Sequence, residues 1–572
     1  MINVIWQSYH KETPTRGYWD QAMLESIFSR ELYRPAAALE FTHHESINNF
    51  LASFESAPHK VAAEDQGAII VIPARYHAGD VDAINADIAK LQWCIIVLVG
   101  DEEAVFPSEK LEHPNMMIYV MTPHIGKHEK ADRFIVNGWP TKTREILRQY
   151  ADEANERPLT WFFAGQNTHK RRKACVAQLK KMENGKLIET PGFTQGVPHE
   201  EYFKYMASAK IVPCPSGAVI PDSFRIYEAL EAGALPIADG LAPSGSSKGY
   251  WNFLLDEEEL PFPVLEDWHE LPGTVAYFFD TFPKSQNKAY AWWQMFKRNM
   301  VYNLEDDLHH LRGTKPAFDK PDDRITVLVP TSPIKRHPST EIIDETIAAI
   351  RTKLPDAEII IMIDGVREEQ EHYTGNYNEY IRRLLWKTNF EWHNVVPMLF
   401  QDHYHQAAMT REALKIVRTP LIMFVEHDAP ITPDCDFEWQ GLTDAILTGE
   451  ANMIRFHHEA KIQDAHWRLM LDKKPVMVCG VPMMRTAQWS QRPHLASTEF
   501  YRHIIDTYFR PESRTMIEDK IHGITELKYM KRRKAGWNPF KIWIYTPEGN
   551  IKRSYTTDGR GDDPKYDDKF IY

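Results

Sequence analysis

The stretch PDSFRIYEALEAGALPI, residues 221–237, restricts the chain to folds in which a polar loop feeds a short amphipathic helix and then a buried strand. Phe224, Tyr227 and Leu230 recur at three-residue steps, which predicts one helix face turned to a core. Arg225 and Glu228 lie one turn apart on the other face. A guanidinium and a carboxylate at that spacing suit the phosphates and ribose hydroxyls of a nucleotide-diphosphate sugar. The competing reading is a surface helix with an ordinary i,i+3 ion pair, worth about 0.3 kcal/mol. Gly233 ends the helix ahead of the strand LPI.

Upstream segments weigh against the surface helix. LTWFFAGQNTHKRRKACVAQL, from Leu159, predicts a buried strand, a turn at Gly165 and a helix that opens with His169, Lys170, Arg171, Arg172 and Lys173. Those cations sit where helix N-terminal amides already favour an anion. YMASAKIVPCPSGAVIPDSFR then runs a short apolar strand into a Pro, Ser and Gly loop just before Arg225. Ligands of open parallel sheets bind at such carboxyl-end loops. Over roughly residues 155–240 this pattern resembles the exostosin-type glycosyltransferases. The resemblance implies a GT-B enzyme that inverts the anomeric centre without a metal. It also implies that Gly165, Arg171 or Arg172, Ser223, Arg225 and Glu228 contact the donor's diphosphate and ribose. The loop CPSGAVIPDSFR is longer than the shortest family versions, which leaves the role of Ser216 open.

At 572 residues the chain is too long for one core. Its 43% hydrophobic and 12% aromatic content is that of a packed protein. A formal net charge of -13 excludes a general basic field for nucleic acid. Cys94, Cys175, Cys214, Cys435 and Cys479 form no CxxC pair, which fits a reducing cytoplasm better than a disulfide framework. The first residues lack the pattern of a signal peptide, and no apolar run approaches the ~20 residues that span a bilayer. A cytoplasmic protein, at most peripheral at a membrane, is expected.

Strands are predicted at Asn3 to Gln7, Gly67 to Ile72, Cys94 to Val99 and Met117 to Met121, with helices at Tyr18 to Phe28, Val81 to Leu91 and Ala289 to Leu311. The alternation implies wound parallel sheets. The expected GT-B halves are residues 1–155 on the acceptor side and 156–312 on the donor side. Loops at His10, Gly17, Asp80 and Asp101 to Glu103 are candidates to face the acceptor, and the base is not chosen among His10, Asp80 and Glu102.

GTKPAFDKPDDR, residues 313–324, replaces periodic apolar residues with Pro, Gly and charge and is the predicted linker. Beyond it, ITVLVPTS and AEIIIMIDG predict two buried strands, with a helix capped by Ser339 or Thr340 between them. EALKIVRTPLIMFVEHDAPI supplies another helix and strand, followed by Glu426, His427 and Asp428. Residues 325–525 resemble the GT-A fold of family 2-like inverting glycosyltransferases, with residues 325–572 as the full C-terminal domain and its extension. By that resemblance the loop from Pro330 and the acid Asp364 hold the nucleotide, and EHD is the DxD-type metal motif with Glu426 in place of the first Asp. Alternate residues of an extended segment share a face, so Glu426 and Asp428 can both turn to Mn²⁺ or Mg²⁺. The competing reading is a solvated acidic turn. TMIEDKIHGI, residues 515–524, carries the ED pair that family members place under the acceptor. Asp519, or else Glu518, would be the general base.

No His or Cys spacing matches a zinc set. Lys531, Arg532, Arg533 and Lys534, with Trp537 and Trp543 nearby, have the composition of a surface for DNA or an anionic membrane, against the alternative of a solvated helix face. The combined expectation is an α/β bifunctional glycosyltransferase with a GT-B module followed by a GT-A module, using UDP-sugar donors and a glycan acceptor. The alternatives are a DNA-modifying glycosyltransferase acting on hydroxylated bases, and an inactive glycan-binding protein.

Overall fold

The computed structural model describes residues 1–7, 21–55, 62–192, 196–549 and 551–557. The chain divides into two compact units, Met1–Tyr33 with Ala38–Lys315, and Arg34–Ala37 with Pro316–Tyr572.

The first unit holds two wholly parallel sheets. One comprises β1 (Ile2–Trp6), β2 (Phe41–His44), β3 (Gly67–Pro73), β4 (Trp93–Val99), β5 (Met116–Met121) and β6 (Arg133–Ile135), in the order β2-β1-β3-β4-β5-β6. GAIIVIP and WCIIVLV are buried at every residue, as continuous apolar strands covered on both faces must be. The other comprises β7 (Leu159–Gln166), β8 (Gly185–Thr190), β9 (Ala209–Cys214), β10 (Leu235–Asp239) and β11 (Val264–Leu265), in the order β11-β10-β9-β7-β8. The chain therefore reverses direction across the sheet between β7 and β9. Such a switch opens a crevice at the strands' carboxyl ends.

A 29-residue helix, Lys284–Arg312, starts five residues before the predicted one and joins both halves of this unit. Its early turns meet the second sheet's side through Lys297, which pairs with Glu231 at 2.7 Å. Its later turns meet the first sheet, where Asp307 accepts from Tyr119 Oη at 2.6 Å and from Arg133 Nε at 2.9 Å. Gly313 takes the left-handed conformation that closes the helix. The predicted helix at Tyr18 to Phe28 is seen as Ala22–Phe28, its first residues lying outside the described ones.

The second unit is one nine-stranded sheet: β12 (Ile325–Thr331), β13 (Glu358–Ile363), β14 (Val395–Leu399), β15 (Leu421–Phe424), β16 (Met453–Arg455), β17 (Val476–Val478), β18 (Val481–Arg485), β19 (His494–Ser497) and β20 (Ile542–Tyr545). The order is β14-β13-β12-β15-β19-β16-β20-β18-β17. The first four are parallel, and β19 runs antiparallel between β15 and β16. Leu328, Ile360, Met362 and Phe424 fill one core beneath the helices Ile517–Arg532 and Thr498–Tyr508. Here the order reverses between β12 and β15, which places their carboxyl ends beside a second crevice. Among the described residues, no helix is long and apolar enough to cross a membrane.

Candidate functional site

The first crevice is built around Arg225. Its helix, Phe224–Glu231, buries every residue from Ile226 onward, so the face expected to be polar is covered too, and Glu228 is only 7% exposed. The cover is Tyr202, whose hydroxyl donates to Glu228 Oε2 at 2.6 Å. Burial raises the Glu228 carboxyl, with Tyr202 and Arg225 opposing. Arg225 lies over the Phe163 ring at 4.6 Å and donates from Nη2 to Ala164 O at 2.6 Å. Burial works against its charge, but Tyr202, Cys214 and Glu228 more than offset that, so its pKa lies above the ordinary value. Gly165 makes this placement possible: a Cβ there would lie 2.6 Å from Arg225 Nη2.

The two candidate arginines of the Lys170–Leu179 helix have separate places. Arg171 grips Asp239 from Nε at 3.0 and 3.1 Å and donates to Glu266 O at 2.8 Å. Asp239 is fully buried and also accepts from Ser216 N and Trp268 Nε1, both at 3.0 Å. Arg171 thus fastens helix to strand. Arg172 instead turns to the loop after β9, donating from Nε to Ser216 O at 3.2 Å. Burial and the nearby Arg225 push its pKa down to about 10. Two guanidiniums that repel each other in a crevice are the arrangement an oxyanion relieves.

Several polar atoms around them have no hydrogen-bond partner although buried: Ser216 Oγ, Ser223 Oγ, His169 Nδ1 and Arg225 Nε. Leaving such groups unsatisfied costs free energy, so a cluster of them marks a place for a polar ligand. Gly217 lets this loop fold tightly, since a Cβ there would lie 2.5 Å from Asp222 O. The sequence offered no signal for Asp222 beyond its place beside Ser223.

Of the acceptor-side candidates, His10 and Gly17 lie outside the described residues. Asp80 sits 2.9 Å from His77 Nδ1 in an exposed turn. Asp101 closes its own loop by accepting from Val105 N and Phe106 N at 2.9 and 3.0 Å. Glu103 pairs with Arg75 at 3.0 Å. Glu102 is half-buried, and its charge acts weakly on Arg172 and Asp222.

In the second unit, Asp364 and the Glu426 to Asp428 triplet follow β13 and β15. Pro330 lies inside β12 opposite Met362, so the loop expected from Pro330 begins only after Thr331. Asp364 accepts from Gly365 N, Tyr404 N and His405 N at 2.9, 2.7 and 3.1 Å, which holds the 402–405 turn. Gly365 permits that turn's approach, as a Cβ there would lie 2.2 Å from the Asp402 carbonyl carbon. Burial and Asp428 push the Glu426 carboxyl up to about 8, against Arg492, while Glu518 raises it further. Gln406, which sequence reasoning missed, ties the site together: Nε2 donates to Glu426 Oε1 at 3.2 Å and Oε1 accepts from Ile517 N at 3.0 Å. Glu518 accepts from Gln491 N at 2.8 Å. Asp519 is exposed on the next position and acts electrostatically on His405.

Among the described residues, no group of three or more His, Cys, Asp or Glu is placed to hold a metal ion. Two mutually repelling carboxylates, Glu426 and Asp428, are nonetheless a donor set that suits a hard divalent cation whose remaining ligands are phosphate oxygens and water. The basic segment differs from its expectation. Lys531, Arg532, Arg533 and Lys534 are exposed, but Trp537 and Trp543 are 5% exposed and point into the core. Trp537 donates to Ile542 O at 3.0 Å and Trp543 to Glu450 O at 3.1 Å. Neither ring is available to stack on a base.

Residues 167–310, about a quarter of the chain, match the family model of the RXYLT1 C-terminal domain, a xylosyltransferase family. No curated protein matches the chain. Among solved structures, TarS 1-349 from S. aureus is similar at 13% identity and a TM-score of 0.25, covering 41% of this chain and 61% of that one. The mannosyltransferase PcManGT from Pyrobaculum calidifontis, in complex with GDP-Man and Mn2+, is similar at 13% identity and a TM-score of 0.24, over 39% of this chain and 57% of that one. The bifunctional IspDF from Campylobacter jejuni gives 11% identity and a TM-score of 0.21, over 40% of this chain and 51% of that one. The chain thus spans about three fifths of the TarS fragment.

Proposed function

We propose that the chain is a glycosyltransferase that transfers sugars from nucleotide-diphosphate donors to a glycan, with a metal-independent GT-B site in the first unit and a metal-dependent, inverting GT-A site in the second. The observation that carries the reading is the first crevice: Arg172 and Arg225 converge with unpartnered hydroxyls where the strand order reverses. The match of residues 167–310 to a xylosyltransferase family supports it. Arg172, Arg225 and the amino end of the Lys170–Leu179 helix would hold the diphosphate as its charge grows on departure.

In the second unit Asp428, with Glu426 beside it, would hold Mn²⁺ or Mg²⁺, which supplies charge neutralisation for the diphosphate. Asp519 would take the acceptor's proton there, since Glu518 is engaged by Gln491 N.

Calorimetric titration of UDP and GDP, with a screen of donor hydrolysis across nucleotide sugars, tests the reading. Saturable binding that needs Arg225 is expected, and no binding at millimolar nucleotide would refute it. Gly165→Val should force the guanidinium off Ala164 O and weaken nucleotide binding to the first unit by about 10-fold, the worth of one charge-assisted hydrogen bond. Unchanged affinity would show that Arg225 need not lie there. Asp428→Ala should remove the chelator-sensitive part of donor hydrolysis. If a chelator and this substitution both leave all turnover intact, the cation assignment is wrong.

A further inference from the structure

The acidic triplet of the second unit is held by its main chain, and one of the holders comes from far along the sequence. Glu426 O accepts from Ala429 N at 3.0 Å, which closes the turn locally. His427 O accepts from Thr346 Oγ1 at 2.6 Å, on the Glu341–Lys353 helix. Asp428 O accepts from Thr557, whose N lies at 2.9 Å and whose Oγ1 lies at 3.3 Å, across 129 positions of sequence. Thr557 belongs to the segment 551–557, which runs antiparallel to the loop that follows the triplet. Thr432 N donates to Arg553 O at 3.0 Å, Tyr555 N donates to Pro430 O at 3.1 Å, and Ser554 bridges Ile431 between them.

The segment is itself fastened on its other side. Arg553, 2% exposed, donates from N to His457 O at 3.1 Å and from Nη1 to Ile551 O at 2.7 Å. Ser554, fully buried, donates from Oγ to Phe456 O at 2.8 Å. These bonds join the segment to the loop after β16. Tyr555 Oη donates to Glu345 Oε1 at 2.7 Å, on the same helix that carries Thr346. The two holders outside the triplet, Thr346 and Thr557, are therefore tied to each other through Tyr555. The run KRSYTT has no Pro or Gly and ends in Tyr and Thr, residues that suit an extended backbone of this kind.

We infer that Tyr555 and Thr557 are positioning residues of the second unit's cation site, an inference that rests on the reading of Asp428 and Glu426 as its ligands. A hard divalent cation needs its oxygen ligands in a set geometry, and the groups that orient such ligands typically govern 10–100-fold in metal affinity. The Asp428 side chain springs from a peptide whose carbonyl Thr557 holds. Thr557 thus sets the direction from which that carboxylate meets the cation, and Tyr555 keeps Thr557 in place through Glu345. Neither residue needs to touch the cation or the donor for this role.

The test titrates the full chain with Mn²⁺ in the presence of UDP and follows the electron paramagnetic resonance signal of free Mn²⁺, so it needs no turnover. Binding that disappears in Asp428→Ala defines the site. Thr557→Pro removes both donors to Asp428 O and should weaken that binding about 10-fold or more, whereas Thr557→Ser keeps both and should bind within about 2-fold of the parent. Tyr555→Phe, which loses only the bond to Glu345, should weaken it about 3-fold and decides the matter if the proline variant unfolds. Donor hydrolysis supplies a second readout: a positioning role predicts that excess Mn²⁺ restores the turnover of Tyr555→Phe, and a loss of turnover that excess Mn²⁺ leaves in place overturns it. Unchanged Mn²⁺ affinity in a folded Thr557→Pro, or in Tyr555→Phe, overturns the inference alone. Absence of Mn²⁺ binding in the unmodified chain overturns the cation reading on which it rests.

Discussion

Replacing Arg225 by Ala should weaken nucleoside diphosphate binding to the first unit by about 30-fold, because one guanidinium on phosphate is worth roughly 2 kcal/mol. The change also removes the bond to Ala164 O, the stacking on Phe163 and a cation beside buried Glu228, so the unfolding midpoint of the variant is measured alongside its binding. Arg225→Lys separates charge from shape. A lysine keeps the cation and gives up the planar fork and its stacking on Phe163, so an intermediate loss is expected. Arg172 supplies an internal check. With Arg225 gone, the repulsion that helps push Arg172 down to about 10 is removed, and the remaining binding should depend more strongly on Arg172. Affinity for UDP and GDP, compared at two salt concentrations, reads all of this. An alanine variant that binds as tightly as the parent would remove Arg225 from the phosphate site.

The largest effect on stability is expected at Glu231, which carries no proposed chemistry. It is fully buried, pairs with Arg144 and with Lys297 at 2.7 Å, and accepts from Trp293 Nε1 at 2.8 Å. Burial opposes its charge, but Lys297 and Arg144 hold the carboxyl down to about 2. Glu231→Ala takes away the carboxylate that buried Arg144 and Lys297 share, a change that costs about 3–5 kcal/mol. For a unit of this size that is roughly a 6 °C fall in unfolding midpoint. Since the folded pKa is depressed, the contribution is fully present above the ordinary glutamate range and is lost as pH falls through about 2. A midpoint shift of less than about 2 °C, by thermal denaturation near pH 7, would show that the two cations find other partners.

Glu228 and Glu231 show what spacing along the chain conveys and what it does not. The three-residue recurrence of apolar residues located the helix, and Tyr227 and Leu230 are buried as their period requires. The same period assigned Glu228 to an open face, yet Tyr202, from a helix ending seventeen residues before Arg225, closes over it. A helix at a parallel sheet's switch point is covered on more sides than local periodicity records. The arginine pair teaches the same lesson. Arg171 and Arg172 are neighbours of one type, and only Asp239, 68 residues on from Arg171, decides which is committed to the scaffold.

Long apolar strands were legible because burial on both faces writes itself as an unbroken run; the strands β2, β6, β16 and β17 are short or partly polar and gave no such run. Trp537 and Trp543 looked like a basic aromatic surface because composition carries no direction. Their indole N–H groups are spent on Ile542 O and Glu450 O. Gln406 had no signature at all, since one amide joining Glu426 to the backbone of Ile517 is a purely tertiary fact.

The Lys284–Arg312 helix has a consequence for how this unit can change over time. Its anchors to the two halves, Lys297 and Asp307, lie on one uninterrupted rod, so their relative azimuth is set by the count of residues between them. One added residue would turn everything beyond it by about 100° and advance it by about 1.5 Å, swinging Asp307 away from Tyr119 and Arg133. Surface loops of the same chain absorb an extra residue at little cost. The rod behaves as a toothed gear: its residues can drift by substitution, but an insertion of even a whole turn, which restores the azimuth, moves the two anchors about 5.4 Å further apart.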